Sequence, residues 1–225
     1  MNMSFVIRSK NESRWIGHAI QSIVDTYEKP QIVIVDNESE DDTLDVVKLF
    51  MKDRNNLDIQ IIDISRKEYT PGKSINLAIS SLKEMSDDSI VCVLSAHCQI
   101  QNIDFNELES MFKEVNCCAV MGKQVPIYRG KKILNRYVWQ NFSYDKVIKN
   151  PTEQIPDSRP FFHNAFSFIR FADWQEDKFD ESCTTKEDRH WIKQQINNGK
   201  YCYFTPNSIC HHYWTPNGAT WKGQG

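Results

Sequence analysis

The sequence lacks the segments that divide a chain into separate parts or place it in a membrane. Its 225 residues contain no Pro-, Gly- or Ser-rich linker, no low-complexity stretch and no internal repeat, which favours a single domain over residues 1–225. No apolar run approaches the roughly 20 residues of a membrane-spanning helix, and the N-terminal apolar stretch is too short for a signal peptide. We therefore predict a cytoplasmic protein, with peripheral association at the inner face of the membrane as the alternative.

Charge and cysteine usage exclude two further classes. The net charge is −3 and no long basic run is present, so the sequence lacks the electrostatic footprint of a nucleic-acid-binding protein. The seven cysteines show no paired Cys-x-x-Cys spacing and give no even-numbered disulfide framework. This usage favours free thiols in a reducing compartment, and an acidic ligand would need a local pocket.

What the sequence does contain is a regular alternation of apolar strands and amphipathic helices. Strands are predicted at residues 5–9, 31–36, 59–64 and 90–94. Helices are predicted between them, with Ser13 capping the first, Asp41–Thr43 opening the second and Pro71 opening the third. Strands that are apolar along their whole length are typical of a buried parallel sheet. We therefore predict an α/β fold with a mostly parallel sheet and helices on both faces.

The second half of the chain has a looser pattern. Its predicted elements are a helix at 106–114, a strand at 118–122, an irregular aromatic-rich region at 128–174, a helix at about 186–196 and a strand at 201–205.

Polar side chains follow the predicted strands of the first half. Ligands of open parallel sheets bind outside the carboxyl ends of the strands, so these side chains are expected at one edge. They are Arg8, Asn11 and Glu12 after the first strand, Asp36 and Asn37 after the second, and Ser95 and His97 after the fourth.

Five blocks in order resemble those of family 2 glycosyltransferases with the GT-A fold. They are Val6–Glu12, Ile34–Thr43, Pro71–Ala78, Phe179–Glu181 together with Glu187-Asp188, and Pro206–His212. The resemblance implies transfer of a sugar from a nucleotide-sugar donor to a saccharide or lipid-linked acceptor, with inversion. The implied setting is the synthesis of surface polysaccharide or glycoconjugate.

The resemblance also divides the chain by role. Residues 1–100 become the nucleotide-sugar-binding half, residues 101–212 the acceptor-binding half, and residues 213–225 either a mobile lid or a disordered terminus. The implied donor-binding residues are Arg8, Asn11, Glu12, Asp36, Asn37, Lys73, Asn76, Ser95, Ala96 and His97. The implied acceptor contacts are His163 and Asn164.

Several of these residue types also have simpler interpretations. The Asp36 carboxylate can accept hydrogen bonds from a base or ribose, or it can cap a turn with Ser39. Lys73 can meet a diphosphate or remain a solvated loop charge. The resemblance makes Asp188 the general base and Glu187 its supporting group, although acidic residues also favour the first turn of any helix.

His97 departs from the family pattern. Ser95-Ala96-His97 stands where an Asp-x-Asp metal clamp is usual. Three interpretations stay open. His97 and His212 bind a divalent metal, Mn²⁺ or Mg²⁺, with diphosphate oxygens; a protonated His97 contacts the phosphate directly without metal; or His97 is a structural residue of an inactive site.

Two other functions remain as alternatives at this stage. One is a catalytically silent sugar- or nucleotide-binding subunit, which the same residues would also build. The other is a nucleotidylyltransferase, but the Gly-rich loop usual after its first strand is absent from Arg8–Glu12.

Overall fold

The structure, a computed structural model, describes residues 1–53, 57–133, 144–151, 161–216 and 218. Within these residues the strands are β1 (Met3–Ser9), β2 (Gln31–Asp36), β3 (Asp58–Asp63), β4 (Ile90–Ser95), β5 (Cys98–Asn102), β6 (Cys117–Tyr128), β7 (Lys131–Lys132), β8 (Ile148–Lys149), β9 (Phe166–Arg170) and β10 (Tyr201–Tyr213). The helices are α1 (Ile16–Thr26), α2 (Thr43–Asp53), α3 (Pro71–Ser80), α4 (Phe105–Phe112), α5 (Phe171–Glu176) and α6 (Glu187–Asn197). The main sheet runs in the order β3-β2-β1-β4-β9-β6-β10-β5, with β7 paired to β6 and β8 to β10.

The first four strands form the parallel part of the sheet. β1 lies between β2 and β4, and β3 lies outside β2, all in parallel pairing. The register sets Ser9 beside Asp36 and Arg8 beside Ser95. The carboxyl ends of these strands therefore meet at one edge, as the sequence predicted, and the α/β fold class is confirmed.

The second part of the sheet is mixed. β9 runs antiparallel to both β4 and β6, whereas β10 is parallel to β6 and antiparallel to β5. β9 lies inside the region 128–174, so the prediction that this region is irregular was wrong there. Its Phe166 and Phe168 are fully buried, and aromatic residues on a short strand gave no clear periodicity.

Two strands are longer than predicted. β6 continues past Gly122 to Tyr128, and β10 continues past Thr205 to Tyr213. Pro206 lies within the register shift between Thr205 and Ile209, which accommodates it as an irregularity inside the strand. This extension carries His212 into the sheet.

Helices cover both faces of the sheet, as predicted. On one face, α1 and α4 bury Ile16, Ile20 and Leu108 against the strands. On the other, α3 and α6 bury Ile75 and Trp191. α1 begins at Ile16 without a side-chain cap, so the predicted capping role of Ser13 was wrong. No helix among the described residues is long and apolar enough to cross a membrane.

The proposed boundary between the halves falls inside β5, and the sheet continues across it. The tail proposed at 213–225 starts within ordered structure, because Tyr213 is the last residue of β10 and the Trp214 N–H donates to the Ile127 carbonyl at 2.9 Å. Residues 217 and 219–225 lie outside the described residues. The single domain, its two halves and the lid stay predictions.

Candidate active site

The loops after β1 and β2 are bonded to each other. Asn11 has a left-handed backbone with φ of 53°, a conformation that asparagine tolerates better than most residues. Its N–H donates to Ser39 Oγ at 2.8 Å, and its Oδ1 accepts the Glu40 N–H at 2.8 Å. Asn11 thus holds the two loops together at the ligand edge.

Asp36 is 1% exposed and holds the second of these loops. Its Oδ1 accepts the Ser39 hydroxyl at 2.6 Å and its Oδ2 accepts the Ser39 N–H at 2.8 Å. Beside it, Asn37 donates to the Ile64 carbonyl at 3.1 Å and accepts from Lys10 Nζ at 3.1 Å. Asp36 therefore does cap a turn, and its contact with a nucleotide base stays a prediction.

Lys73 and Asn76 lie on α3. Lys73 Nζ is 3.7 Å from Glu68 Oε1, with 38% of its side chain exposed. Asn76 is buried, with all its side-chain hydrogen-bonding groups engaged by protein: Nδ2 donates to Phe179 O and Glu181 Oε1, and Oδ1 accepts from Phe179 N and Trp174 Nε1. Asn76 therefore braces the segment before α6, and these contacts give no support to its predicted donor role.

Gly72 explains how closely α3 approaches the same segment. A Cβ at this position would lie 2.5 Å from the Asp180 carbonyl oxygen, so no larger residue fits without displacing backbone. This contact brings the start of α3 next to the acidic segment that precedes α6.

The two acidic residues predicted to act in catalysis occupy the first turn of α6. Arg8 Nη1 donates to Glu187 Oε1 at 3.0 Å and to the Pro71 carbonyl at 3.4 Å. The Arg8–Glu187 ion pair therefore joins the end of β1 to the start of α6. The structure thus brings predicted donor-side and catalytic residues together.

Asp188 follows directly and is 6% exposed. Its Oδ2 accepts the Asn164 N–H at 3.1 Å, and its Oδ1 accepts the Arg189 N–H at 2.8 Å. Burial raises the pKa of Asp188, and the two N–H groups oppose that shift in part. A carboxylate with a raised pKa is a better proton acceptor than an ordinary aspartate.

Three histidines meet beside these acids. We use "histidine cluster" for His97, His163 and His212 with their partners Glu12 and Gln124. The ring centroids of His97 and His212 are 4.9 Å apart, and those of His163 and His212 are 6.5 Å apart. The cluster unites His97 and His212, as the sequence predicted, and adds His163.

Each histidine of the cluster is held at its Nδ1 atom. His97 Nδ1 lies 2.9 Å from Glu12 Oε1, and His212 Nδ1 lies 2.8 Å from Gln124 Oε1. His163 Nδ1 lies 3.2 Å from Gln124 Nε2 and accepts the Ala165 N–H at 3.2 Å. The Glu12 carboxylate was predicted to contact the donor, but in the structure it forms a hydrogen bond with His97.

Burial controls the charge of two of these rings. It lowers the pKa of His163 to about 4, against an ordinary value of 6.5, and lowers that of His212 well below the same value. For His212, the neighbouring His97 and His163 act in the same direction. Both rings are therefore neutral near pH 7, which is the state in which imidazole binds a metal ion.

Glu12 Oε2 and Asn164 Nδ2 are buried polar atoms with no hydrogen-bond partner among the described residues, and their residues are 5% and 1% exposed. The first is an acceptor and the second a donor. Because buried polar groups are normally satisfied, each is a place for a ligand group or an ordered water.

The last two predicted donor-binding residues, Ser95 and Ala96, bring no side-chain hydrogen bond to the site that the structure records. The Ser95 N–H donates to the Ala165 carbonyl at 3.0 Å, and Ala96 is buried.

Gln124 was missed by sequence reasoning, although one signal was present: it is a glutamine in an apolar strand run, and it is 0% exposed. In the part of the chain that the structure describes, no group of three His, Cys, Asp or Glu side chains could hold a metal.

Comparison with known proteins agrees with this architecture. Structures with the same fold include GalNAc-T7 with UDP, GalNAc and Mn²⁺, at 14% identity and a TM-score of 0.76 over 100% of this chain and 46% of that one. TarS 1-349 of S. aureus with UDP matches at 16% identity and a TM-score of 0.68, over 96% of this chain and 61% of that one. The mannosyltransferase PcManGT of Pyrobaculum calidifontis with GDP-Man and Mn²⁺ matches at 14% identity and a TM-score of 0.70, over 96% of this chain and 58% of that one.

These likenesses define the class of fold, that of the GT-A glycosyltransferases. The sequence model described as Glycosyl transferase family 2 matches residues 4–176, and the chain belongs to that family. The chain spans about half to three-fifths of the structures named above. A search of curated proteins finds no match.

Proposed function

We propose that the chain transfers a sugar from a nucleotide-sugar donor to a saccharide or lipid-linked acceptor, with inversion at the anomeric carbon. The observation that carries the proposal is the buried Asp188, whose pKa is raised beside the ligand edge of the sheet. Membership of glycosyltransferase family 2 supports it. Synthesis of surface polysaccharide or glycoconjugate is the proposed setting.

In the proposed reaction, Asp188 accepts the proton of the acceptor hydroxyl. The hydroxyl oxygen then bonds to the anomeric carbon from the face opposite the diphosphate, and the bond from that carbon to the diphosphate oxygen breaks. Its electron pair leaves with the nucleoside diphosphate. Glu187 is already paired with Arg8, so we assign it the supporting role.

Donor binding is assigned to the edge formed by β1, β2 and β4. Asp36 and Asn37 stand at the end of β2, where the base and ribose would lie, and Lys73 lies near the start of α3 for the diphosphate. The solved structures with this fold hold UDP, UDP-GlcNAc or GDP-Man. A donor with a nucleoside diphosphate leaving group is therefore the first to test.

The described residues contain no group of three side chains that could hold a metal by itself, so the proposed divalent ion takes two protein ligands from the histidine cluster and the others from the donor diphosphate. Metal-binding histidines usually donate their second ring N–H to a carboxylate or amide oxygen, and Glu12 and Gln124 offer such oxygens to His97 and His212. Glu12 Oε2, which is buried and has no partner among the residues that the structure describes, lies in the same cluster.

We propose that His97 and His212 hold the ion through Nε2, with diphosphate oxygens completing its ligands. Imidazole favours Mn²⁺ over Mg²⁺. When bound, the ion would neutralise charge on the leaving diphosphate.

The acceptor is proposed to lie against His163 and Asn164. The Asn164 N–H binds Asp188 while its side-chain Nδ2 has no partner among the described residues. That amide is a donor placed next to the general base, where a saccharide hydroxyl would need an oriented contact.

The direct test is release of nucleotide from a panel of UDP-, GDP-, dTDP- and CMP-linked sugars in Mn²⁺. An enzyme releases nucleotide slowly by hydrolysis without acceptor and faster with a saccharide acceptor. A silent binding subunit would be stabilised thermally by nucleotides, by ~2.7 kcal/mol at 100 times the dissociation constant, yet would release none. Binding without release from any donor would overturn the proposal.

A further inference from the structure

We infer that Gln124 is a positioning residue that sets opposite tautomers on His163 and His212. The backbone N–H of Ala165 fixes the tautomer of His163, and Gln124 relays that choice to His212. The inference rests on the proposed function in one respect: the fixed tautomer of His212 matters for metal binding only if His212 is a metal ligand. The tautomers themselves follow from hydrogen-bond directions in the protein alone.

The first step is the N–H of Ala165. It lies 3.2 Å from His163 Nδ1 with hydrogen-bond geometry, and a backbone N–H can only donate. His163 Nδ1 must therefore carry a lone pair, so the ring proton of neutral His163 is on Nε2.

The second step is the orientation of the Gln124 amide. An amide oxygen facing the lone pair on His163 Nδ1 would be repelled by it, so the Gln124 NH₂ group faces that atom, at 3.2 Å. The Gln124 oxygen then faces His212 Nδ1 at 2.8 Å. Since an amide oxygen only accepts, His212 Nδ1 carries the proton and His212 Nε2 carries the lone pair.

The third step compares His97. Its Nδ1 lies 2.9 Å from Glu12 Oε1, an oxygen that can accept a hydrogen bond from the ring. Among the two rings bonded to Gln124, His212 thus has a lone pair on Nε2, which suits a cation, and His163 has Nε2–H, which suits an oxygen atom of a substrate. The Nδ1 contact of His97 is compatible with the same tautomer as that of His212.

Gln124 has the position this role needs. It is 0% exposed on β6, between β9 and β10, and its side chain bridges the two rings. No shorter or apolar side chain could orient His212 through the same bond. The sequence resemblance assigned it no role.

The test reads the tautomers in the metal-free protein by ¹⁵N NMR of labelled histidine. The wild type should show His163 as Nε2–H and His212 as Nδ1–H. In Gln124→Met, His163 should be unchanged because Ala165 still donates to it, whereas His212 should lose its fixed tautomer. Gln124→Glu should keep His212 as Nδ1–H, because either form of the carboxyl group offers an oxygen.

Gln195→Met is the matched control. Gln195 is also 0% exposed, but it bonds Asp177 from α6 instead of a histidine. Gln195→Met should leave the tautomers of both His163 and His212 unchanged. Mn²⁺ affinity, measured by calorimetry, should fall about 10–100-fold in Gln124→Met and recover in Gln124→Glu.

Wild-type His163 as Nδ1–H, or wild-type His212 as Nε2–H, would overturn the inference even if Gln124→Met did not fold. Because these spectra need neither nucleotide nor metal, they separate this inference from the proposed function. Failure of the nucleotide-release assay would leave the tautomers standing.

Discussion

The loops after β1 and β2 and the histidine cluster are built in different ways. In the loops, Asp36 bonds Ser39 three positions on, and Asn37 bonds Lys10 and Ile64, each 27 positions away. The histidine cluster joins side chains from five separated parts of the chain, and its Glu12 Oε2 has no partner among the described residues. A preformed loop can receive a ligand without rearrangement, whereas the cluster contains a buried polar atom that a ligand or an ordered water can satisfy.

The difference also separates two kinds of chemistry. The loops present fixed carboxylate and amide groups, which suit recognition of a base or ribose. The cluster presents the neutral imidazoles of His163 and His212, and Asn164, which follows His163 in the chain, bonds Asp188; this arrangement suits metal binding and proton transfer. Changes in the loops should therefore affect nucleotide affinity, and changes at the catalytic end should affect turnover.

The largest effect is expected from Asp188→Asn. Asparagine keeps the shape and the bond from the Asn164 N–H but cannot accept the proton, so turnover should fall about 10²–10⁴-fold with little change in nucleotide affinity. Steady-state kinetics with saturating donor and acceptor, beside calorimetry with the nucleotide, would measure both.

Asp45→Asn, an exposed carboxylate on α2, is the control and should change neither quantity. Near-normal turnover in a folded Asp188→Asn protein would remove the assignment of the base.

A smaller effect, on binding alone, is expected from Asp36→Ala. Loss of this carboxylate should weaken nucleotide binding by roughly 1–3 kcal/mol, because a buried ligand group loses its partner. Ser39→Ala sharpens the comparison, since it removes the hydroxyl bond to Asp36 while leaving the carboxylate in place. Unchanged nucleotide affinity in calorimetry of folded Asp36→Ala would assign Asp36 to the turn alone.

The last effect concerns folding rather than binding or turnover, and it is expected in the pH dependence of stability. Unfolded His163 binds a proton near its ordinary pKa of 6.5, whereas the folded residue binds one only near pH 4. Stability should therefore be fully present above pH 6.5 and should fall between pH 6.5 and about 4, by up to about 1.4 kcal/mol per pH unit.

Urea unfolding across this range should show a shallower fall for His163→Asn than for the wild type. His18→Asn, at an exposed position on α1, is the control. The raised pKa of Asp188 acts in the opposite direction, so the slope is compared between variant and wild type. Equal slopes would show that His163 is not held neutral by burial.

The sequence predicted the position of the loops after β1 and β2 better than it predicted the histidine cluster. Polar residues that follow parallel strands must meet at one edge, so Arg8, Asp36 and Ser95 could be placed together from strand order alone. Gln124 could not be placed, because its role depends on the register of β6 and β10 beyond the predicted ends of both strands. That register is a property of the whole mixed sheet.

Particular pairings also escaped prediction. Arg8 and Glu187 are 179 positions apart, and nothing in either block indicates that they form an ion pair. Asn76 matched the family pattern of a donor-side residue, yet its amide braces Phe179 through backbone bonds. Sequence patterns identified the polar residues, but their partners depended on how α3 and α6 pack.

The most direct measurement is nucleotide release from the active donor in chelator, then with Mn²⁺ or Mg²⁺ restored. Activity should vanish in chelator and return better with Mn²⁺ than with Mg²⁺, and His97→Ala and His212→Ala should each weaken that rescue while His18→Ala does not. Full activity in chelator, with both cluster variants unaffected by any divalent ion, would contradict the metal assignment. Activity in chelator that His97→Ala abolished would instead indicate direct contact between His97 and the phosphate.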